Sequence, residues 1–84
     1  MPRIYPKEDG NLYLAPGDYG FNAKAGYWLC RPPVKTVHAG GLKNHSVIEH
    51  EDGTITVSPS ILITGLTPEE SWHGYLERGI WRVQ

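Results

Sequence analysis

The sequence predicts a mainly β protein, a single small domain of five or six short antiparallel strands with one short helical turn near residues 67–72. Ten glycines and seven prolines among 84 residues keep uninterrupted segments short, which favours strands and turns over helices. Within Thr54–Ser58, Ile55 and Val57 point one way and Thr54, Thr56 and Ser58 the other, the period of a half-buried strand. Two Gly-bearing breaks, Glu51-Asp52-Gly53 and Glu77-Arg78-Gly79, separate runs of this kind and read as hairpin connections.

In order along the chain, residues 1–26 read as an irregular N-terminal arm packed on the domain. One short strand is expected within it at Asn11–Ala15, where Leu12 and Leu14 share a face. Residues 27–84 form the antiparallel β domain. Tyr27-Trp28-Leu29-Cys30 is a compact apolar strand stopped by Pro32-Pro33. Val34–Ala39 reads as extended, and Gly40-Gly41 as a turn. Ser46–His50 and Thr54–Ser58 make a hairpin, and Ile61-Leu62-Ile63, apolar on both faces, reads as a central buried strand. Thr67-Pro68-Glu69-Glu70 has the form of a capping box, in which Thr67 accepts from the Glu70 amide while the Glu70 carboxylate reaches back. Trp72–Leu76 and Ile80–Val83 then pair around Glu77-Arg78-Gly79, a three-residue loop. The expected core is Trp28, Leu29, Ile55, Val57, Ile61, Ile63, Leu76 and Ile80, with one or both of Trp72 and Trp81.

A chain of this length buries only roughly 60–65% of the surface its unfolded form exposes, so its core is thin. One cysteine excludes an internal disulfide. The opening MPRIYPKEDG lacks an apolar leader region, and no run approaches the ~20 apolar residues of a membrane helix. A soluble protein of a reducing cytoplasm is the expectation. The formal charge of −1 gives no global attraction to nucleic acid. Its distribution is uneven, because no acidic residue falls between Tyr19 and Ile48 while Lys24, Arg31, Lys35 and Lys43 all do.

Four chemistries deserve weighing. Cys30, His38 and His73 are the candidate zinc ligands, but no close-set ligand pair marks a knuckle. A catalytic thiol at Cys30 needs a neighbouring base, whereas its apolar strand suits a small buried side chain. No pair of glutamates has a hydrolase context, and Gly40-Gly41 lacks phosphate-loop spacing. Tyr19, Phe21, Tyr27 and Trp28 interleave with Lys24 and Arg31, so the stretch 19–43 is a candidate single-stranded nucleic-acid surface. A thin domain with three Trp and five Tyr has amphipathic rings left over for protein contact. Tyr13, Tyr19, Lys24 and Tyr75 are the candidate partner-binding residues, and an exposed edge strand is a second route to a partner.

Three segments carry a family resemblance: Tyr27-Trp28-Leu29-Cys30, Thr56-Val57-Ser58-Pro59-Ser60-Ile61, and Trp72-His73-Gly74-Tyr75-Leu76-Glu77-Arg78-Gly79-Ile80-Trp81. Together they resemble a family of small domains of unknown function encoded by tailed bacteriophages and prophages, some labelled "phage ammonia monooxygenase". The likeness covers residues 27–83, most closely 54–83. It departs at Pro33, where the family's knuckle has its second cysteine, and at Trp72, where many relatives have cysteine. The zinc site that the resemblance implies is thus reduced to Cys30 and His73. The monooxygenase label finds no copper-type histidine cluster here. These features together point to a non-enzymatic phage-type module without a resident cofactor, binding a host or phage protein in the host cytoplasm. Such a module would be an accessory factor, or an inhibitor of a host defence or nucleic-acid machine. The alternatives are a structural zinc-supported β module and single-stranded nucleic-acid contact through residues 19–43.

Overall fold

A computed structural model describes residues 3–84, so the first two residues of the expected arm lie outside the described residues. Among the described residues, seven strands form two antiparallel sheets. The first has the order β1 (Tyr19–Asn22), β2 (Tyr27–Cys30), β3 (Gly40–Gly41). The second has the order β4 (Ser46–Glu49), β5 (Ile55–Ile63), β6 (Trp72–Glu77), β7 (Ile80–Val83). A single 3₁₀ turn spans Pro68–Glu70. The fold class is as the sequence predicts.

The inner faces share one cluster, to which the first sheet and its connections give Tyr19, Cys30, Val37 and Leu42. The second sheet gives Ile55, Val57, Ile61, Ile63, Trp72 and Leu76. Full burial of each such side chain is worth about 1.5–3 kcal/mol. Along β6 the alternation is strict, with Trp72, Gly74 and Leu76 buried and His73, Tyr75 and Glu77 exposed. Trp81 packs edge-on against Trp72, with ring centroids 5.3 Å apart, and its indole N–H donates to the Gly17 carbonyl across 3.0 Å.

β5 absorbs an irregularity that its sequence announces. Val57 pairs with Leu76 and Ile61 with Gly74, so Ser58, Pro59 and Ser60 face Tyr75 alone. Proline donates nothing to a ladder and is accommodated at a bulge; the Ser58–Pro59 peptide bond is cis. The bulge leaves Ile61 and Ile63 facing the core together with Ile55 and Val57, while Leu62 faces solvent.

Several local expectations fail for identifiable reasons. Asn11–Ala15 forms no strand; Asn11 is instead held in a turn by the Asp9 carboxylate. The arm does supply a strand, β1, whose residues pair with all of β2. Val34–Ala39 is not extended, because the Val37 amide turns back to the Val34 carbonyl. Gly40-Gly41 is not a turn but β3, paired with Leu29 and Cys30. Thr67 makes no side-chain cap, and the Glu70 carboxylate accepts from the Leu66 amide at 2.8 Å instead of the Thr67 amide the box requires. The last hairpin has a two-residue turn, Arg78-Gly79, with both φ angles positive. Ile80 consequently pairs with outward-facing Glu77 and is exposed, not core. Trp28 and Trp81 are only partly buried against the cluster, and Leu29 is likewise part-exposed.

The arm is fastened by Arg3, which bridges in parallel to Tyr19. Its Nη1 donates to Glu49 Oε2 at 2.6 Å and to the Gly53 carbonyl at 3.0 Å. Its guanidinium lies 4.8 Å from the ring centroids of both Tyr5 and Trp28, a cation–π stack that is stronger when partly desolvated. One side chain thus joins the arm, β2 and the β4–β5 hairpin.

Gly74 stands where β7 crosses closest to β6, and a Cβ there would strike the Arg82 carbonyl and the Trp72 indole. Gly74→Ala is expected to cost about 1–3 kcal/mol, as overpacking does. For a domain of this size each kilocalorie lowers the melting temperature by roughly 4–8 °C, a loss that thermal unfolding by circular dichroism will measure.

Candidate functional site

The solvent face of the β4–β7 sheet carries three exposed aliphatic side chains among its polar ones, on the side where an antiparallel sheet ordinarily alternates to polar residues. Its register places Ile48 beside Thr56, Leu62 beside His73, Tyr75 beside Arg82 and Glu77 beside Ile80. Ile48 is 58% exposed, and Leu62 and Ile80 are each 62% exposed. A shallow trough of about 480 Å³ lies on this face between Ile48 and Ile80, and it is also lined by His50, Thr56, Arg78 and Arg82. Thr56 Oγ1 organises its floor, accepting from the Arg78 amide at 3.0 Å and lying 2.7 Å from His50 Nε2.

The four expected partner-binding residues are not brought together. Tyr75 belongs to this outward face. Tyr13 is exposed elsewhere, its hydroxyl donating to Asp9 at 3.2 Å. Lys24 lies beside that same turn, its aliphatic stem next to Gly10. Tyr19 is fully buried and cannot be a surface contact; it belongs to the core cluster between the two sheets. Ile48, Leu62 and Ile80 are not among the expected contact residues. The alternation that buries Ile55 and Val57 also turns Ile48 and Leu62 outward, a usable signal, since the bulge leaves the parity of β5 unchanged; the turn that exposes Ile80 depends on geometry the sequence does not state.

Of the expected metal ligands, Cys30 and His38 share a cleft while His73 lies apart. Among the described residues no group of three His, Cys, Asp or Glu side chains is placed to hold a metal ion. Cys30 is fully buried in the core, and burial pushes its thiol up to about 12, which suits packing and opposes thiolate chemistry. Cys30, His38 and His45 line one cleft of about 220 Å³; His73 is instead paired with Ser60 Oγ at 3.0 Å. His45 Nε2 meets the Ser60 carbonyl at 3.0 Å.

Within the basic stretch, Lys24, Lys35 and Lys43 are exposed, while Arg31 is committed to the fold. Arg31 spreads its guanidinium over three backbone carbonyls, of Val37, Leu14 and Lys35, at 3.0–3.1 Å. Phe21 and Trp28 stack edge-on with centroids 5.5 Å apart, and Lys43 lies over the Tyr27 ring. No family model, curated protein or solved structure matches this chain. No helix of the described residues is long and apolar enough to cross a membrane.

Arg31→Lys tests whether this cation is structural. A lysine cannot reproduce the planar fork, and lost charged hydrogen bonds cost about 1.5–3 kcal/mol each at most. A fall in the denaturant midpoint is expected with no change of slope.

His38 gives a pH signature. Nδ1 lies 2.7 Å from the Ala39 carbonyl and Nε2 3.1 Å from the Thr64 carbonyl, and only a doubly protonated imidazolium donates to both. The Ala39 bond first, then that to Thr64 and the nearby Glu70 charge, raise its pKa above the ordinary imidazole value. A raised folded value means its stabilisation is complete below the unfolded value of about 6.5 and is lost as pH climbs through the folded one. The melting-temperature gap between wild type and His38→Gln is therefore expected to be widest near pH 5.5 and to close on the alkaline side, read by melts across pH.

Proposed function

We propose that this chain is a non-enzymatic, phage-type protein-binding module that works in the host cytoplasm through the outer face of its four-stranded sheet. It acts as an accessory factor or as an inhibitor that covers a surface of a host defence or nucleic-acid machine. The observation that carries this reading is that Ile48, Leu62, Tyr75 and Ile80 are all exposed on one solvent face. Isolated exposed apolar residues are ordinary, but several on one face favour a contact surface. The polar chemistry elsewhere supports a binding role, since the thiol is buried and each of the four histidines is engaged in a hydrogen bond. The phage assignment rests on the resemblance of residues 54–83.

The double substitution Leu62→Asp/Ile80→Asp tests the face. Both side chains are exposed, so stability is expected to change by no more than about 0.5 kcal/mol per site. Affinity for a partner captured from a bacterial lysate is expected to fall about 30-fold or more, the weight of a hot-spot residue, whereas Tyr13→Ala leaves it unchanged. A captured partner that binds the double variant as well as wild type places the contact elsewhere.

A further inference from the structure

We propose that the cleft between β3 and the upper half of β5 is closed by a pH-dependent clasp. The clasp is the imidazolium of His38, which ties the segment before β3 to the Thr64 carbonyl and releases it when the ring gives up a proton. The inference goes beyond the contact reading above and stands without it.

The place is set by a gap in the ladders. β4 pairs with β5 only as far as Ser58, so from Pro59 to Ile63 the strand has β6 on one side and no strand on the other. β3 is likewise the last strand of its sheet and pairs with β2 alone. The two open edges meet at the cleft, lined by Gly40 and Leu42 from one side and by Ile61, Ile63 and Thr64 from the other. Among the described residues no backbone hydrogen bond joins them. Two imidazoles span the gap instead: His45 Nε2 meets the Ser60 carbonyl at 3.0 Å, and His38 Nε2 meets the Thr64 carbonyl at 3.1 Å. The other side-chain hydrogen bonds that join residues 3–45 to residues 46–84 come from Arg3, Thr36 and Trp81. None of those donors titrates near neutrality, whereas histidine does.

The two rings differ in what they need. His45 makes its bond with one proton, on Nε2; its Nδ1 is buried without a partner, so a second proton there would stand unpaired. His38 has a carbonyl at each nitrogen, Ala39 at 2.7 Å and Thr64 at 3.1 Å, and serves both only with two protons. A neutral ring keeps one. That proton stays with the nearer, sequence-adjacent Ala39 carbonyl, which sets the bare Nε2 lone pair against the Thr64 oxygen, a repulsion that separation relieves. The titratable groups around His38 do not reverse this order. Glu70, on the 3₁₀ turn, favours the imidazolium by its charge. Cys30, on β2, lines the cleft with a thiol that burial keeps protonated, and His45 lines it as well. The clasp is therefore shut in acid and released as pH climbs through the folded value of His38. Release opens a path to Cys30, which is now fully buried.

The test uses the whole chain in two measurements. Nitrogen NMR of the histidine rings is expected to show His38 protonated on both nitrogens in acid and on Nδ1 alone in alkali. Alkylation of Cys30 is divided at each pH by its rate in the urea-unfolded chain, so that the thiolate fraction cancels. This ratio is expected to rise roughly 3- to 10-fold across the His38 titration, the weight of one hydrogen bond, beyond any rise that denaturant unfolding at each pH accounts for. His38→Ala is expected to alkylate fast and without that step, and His45→Gln, which keeps a donor for Ser60, to retain it. A neutral His38 protonated on Nε2, alkylation that follows global unfolding alone, a step that survives His38→Ala or a step lost in His45→Gln overturns the proposal. If His38→Ala does not fold, the two wild-type measurements decide it.

Discussion

Tyr19 is the piece on which the rest of the architecture turns. It enters the core from the first position of β1, and its hydroxyl reaches the β6–β7 turn, close enough that a Cβ on Gly79 would stand 2.9 Å from it. Neither sheet can bury its own inner face. The first contributes only strands of two to four residues, and β3 is built from glycine alone. A large ring crossing the interface supplies the apolar area that those short strands lack. The pairing of the sheets in turn decides which residues of β4–β7 face inward, and thereby which remain outside.

Arginine takes over the fastening that helices provide in larger domains. Arg3 couples the arm to an aromatic ring of one sheet and a hairpin of the other, while Arg31 gathers three carbonyls from loops that have no ladder to join. Loop carbonyls left buried without partners would each be costly, so a fork with several fixed donors suits this position better than a lysine would. Of the four cations in residues 19–43, Arg31 is spent on architecture in this way, while Lys24, Lys35 and Lys43 stand exposed.

The C-terminal half was legible because its information is local. Alternation in Thr54–Ser58 and the turn chemistry of Gly53 and Gly79 act through near neighbours in sequence; the run Ile61–Ile63, expected to be buried on both faces, instead continues that alternation as part of β5 and exposes Leu62. The N-terminal half was not, because its strands are justified only by distant packing. Gly20 interrupts β1 and looks like a breaker, yet a side chain there would collide with the Ile4 carbonyl and the Leu12 side chain. Gly40 likewise looks like a turn until Ile63 is seen to fill the space beside it. The site followed the same division. Tyr75 and Leu62 could be found from alternation, which the bulge at Pro59 leaves in phase, but Ile80 looks like a core residue until the two-residue turn at Arg78-Gly79 sets its face.

That division bears on why the outer face is the place to look for function. A core residue in a thin domain has little freedom to be anything but apolar, so Ile55 or Leu76 says only that the chain folds. An exposed position has the opposite freedom, since a polar side chain at position 48, 62 or 80 would satisfy the strand and lower the risk of aggregation at an open edge. Three aliphatic residues there bring a hazard that folding does not demand. The hazard is limited in the way natural edges limit it, by charge at Arg82 and by the brevity of β7. An apolar face that is guarded against its own kind but left accessible is what selective recognition requires, because discrimination depends as much on repelling the wrong partner as on attracting the right one.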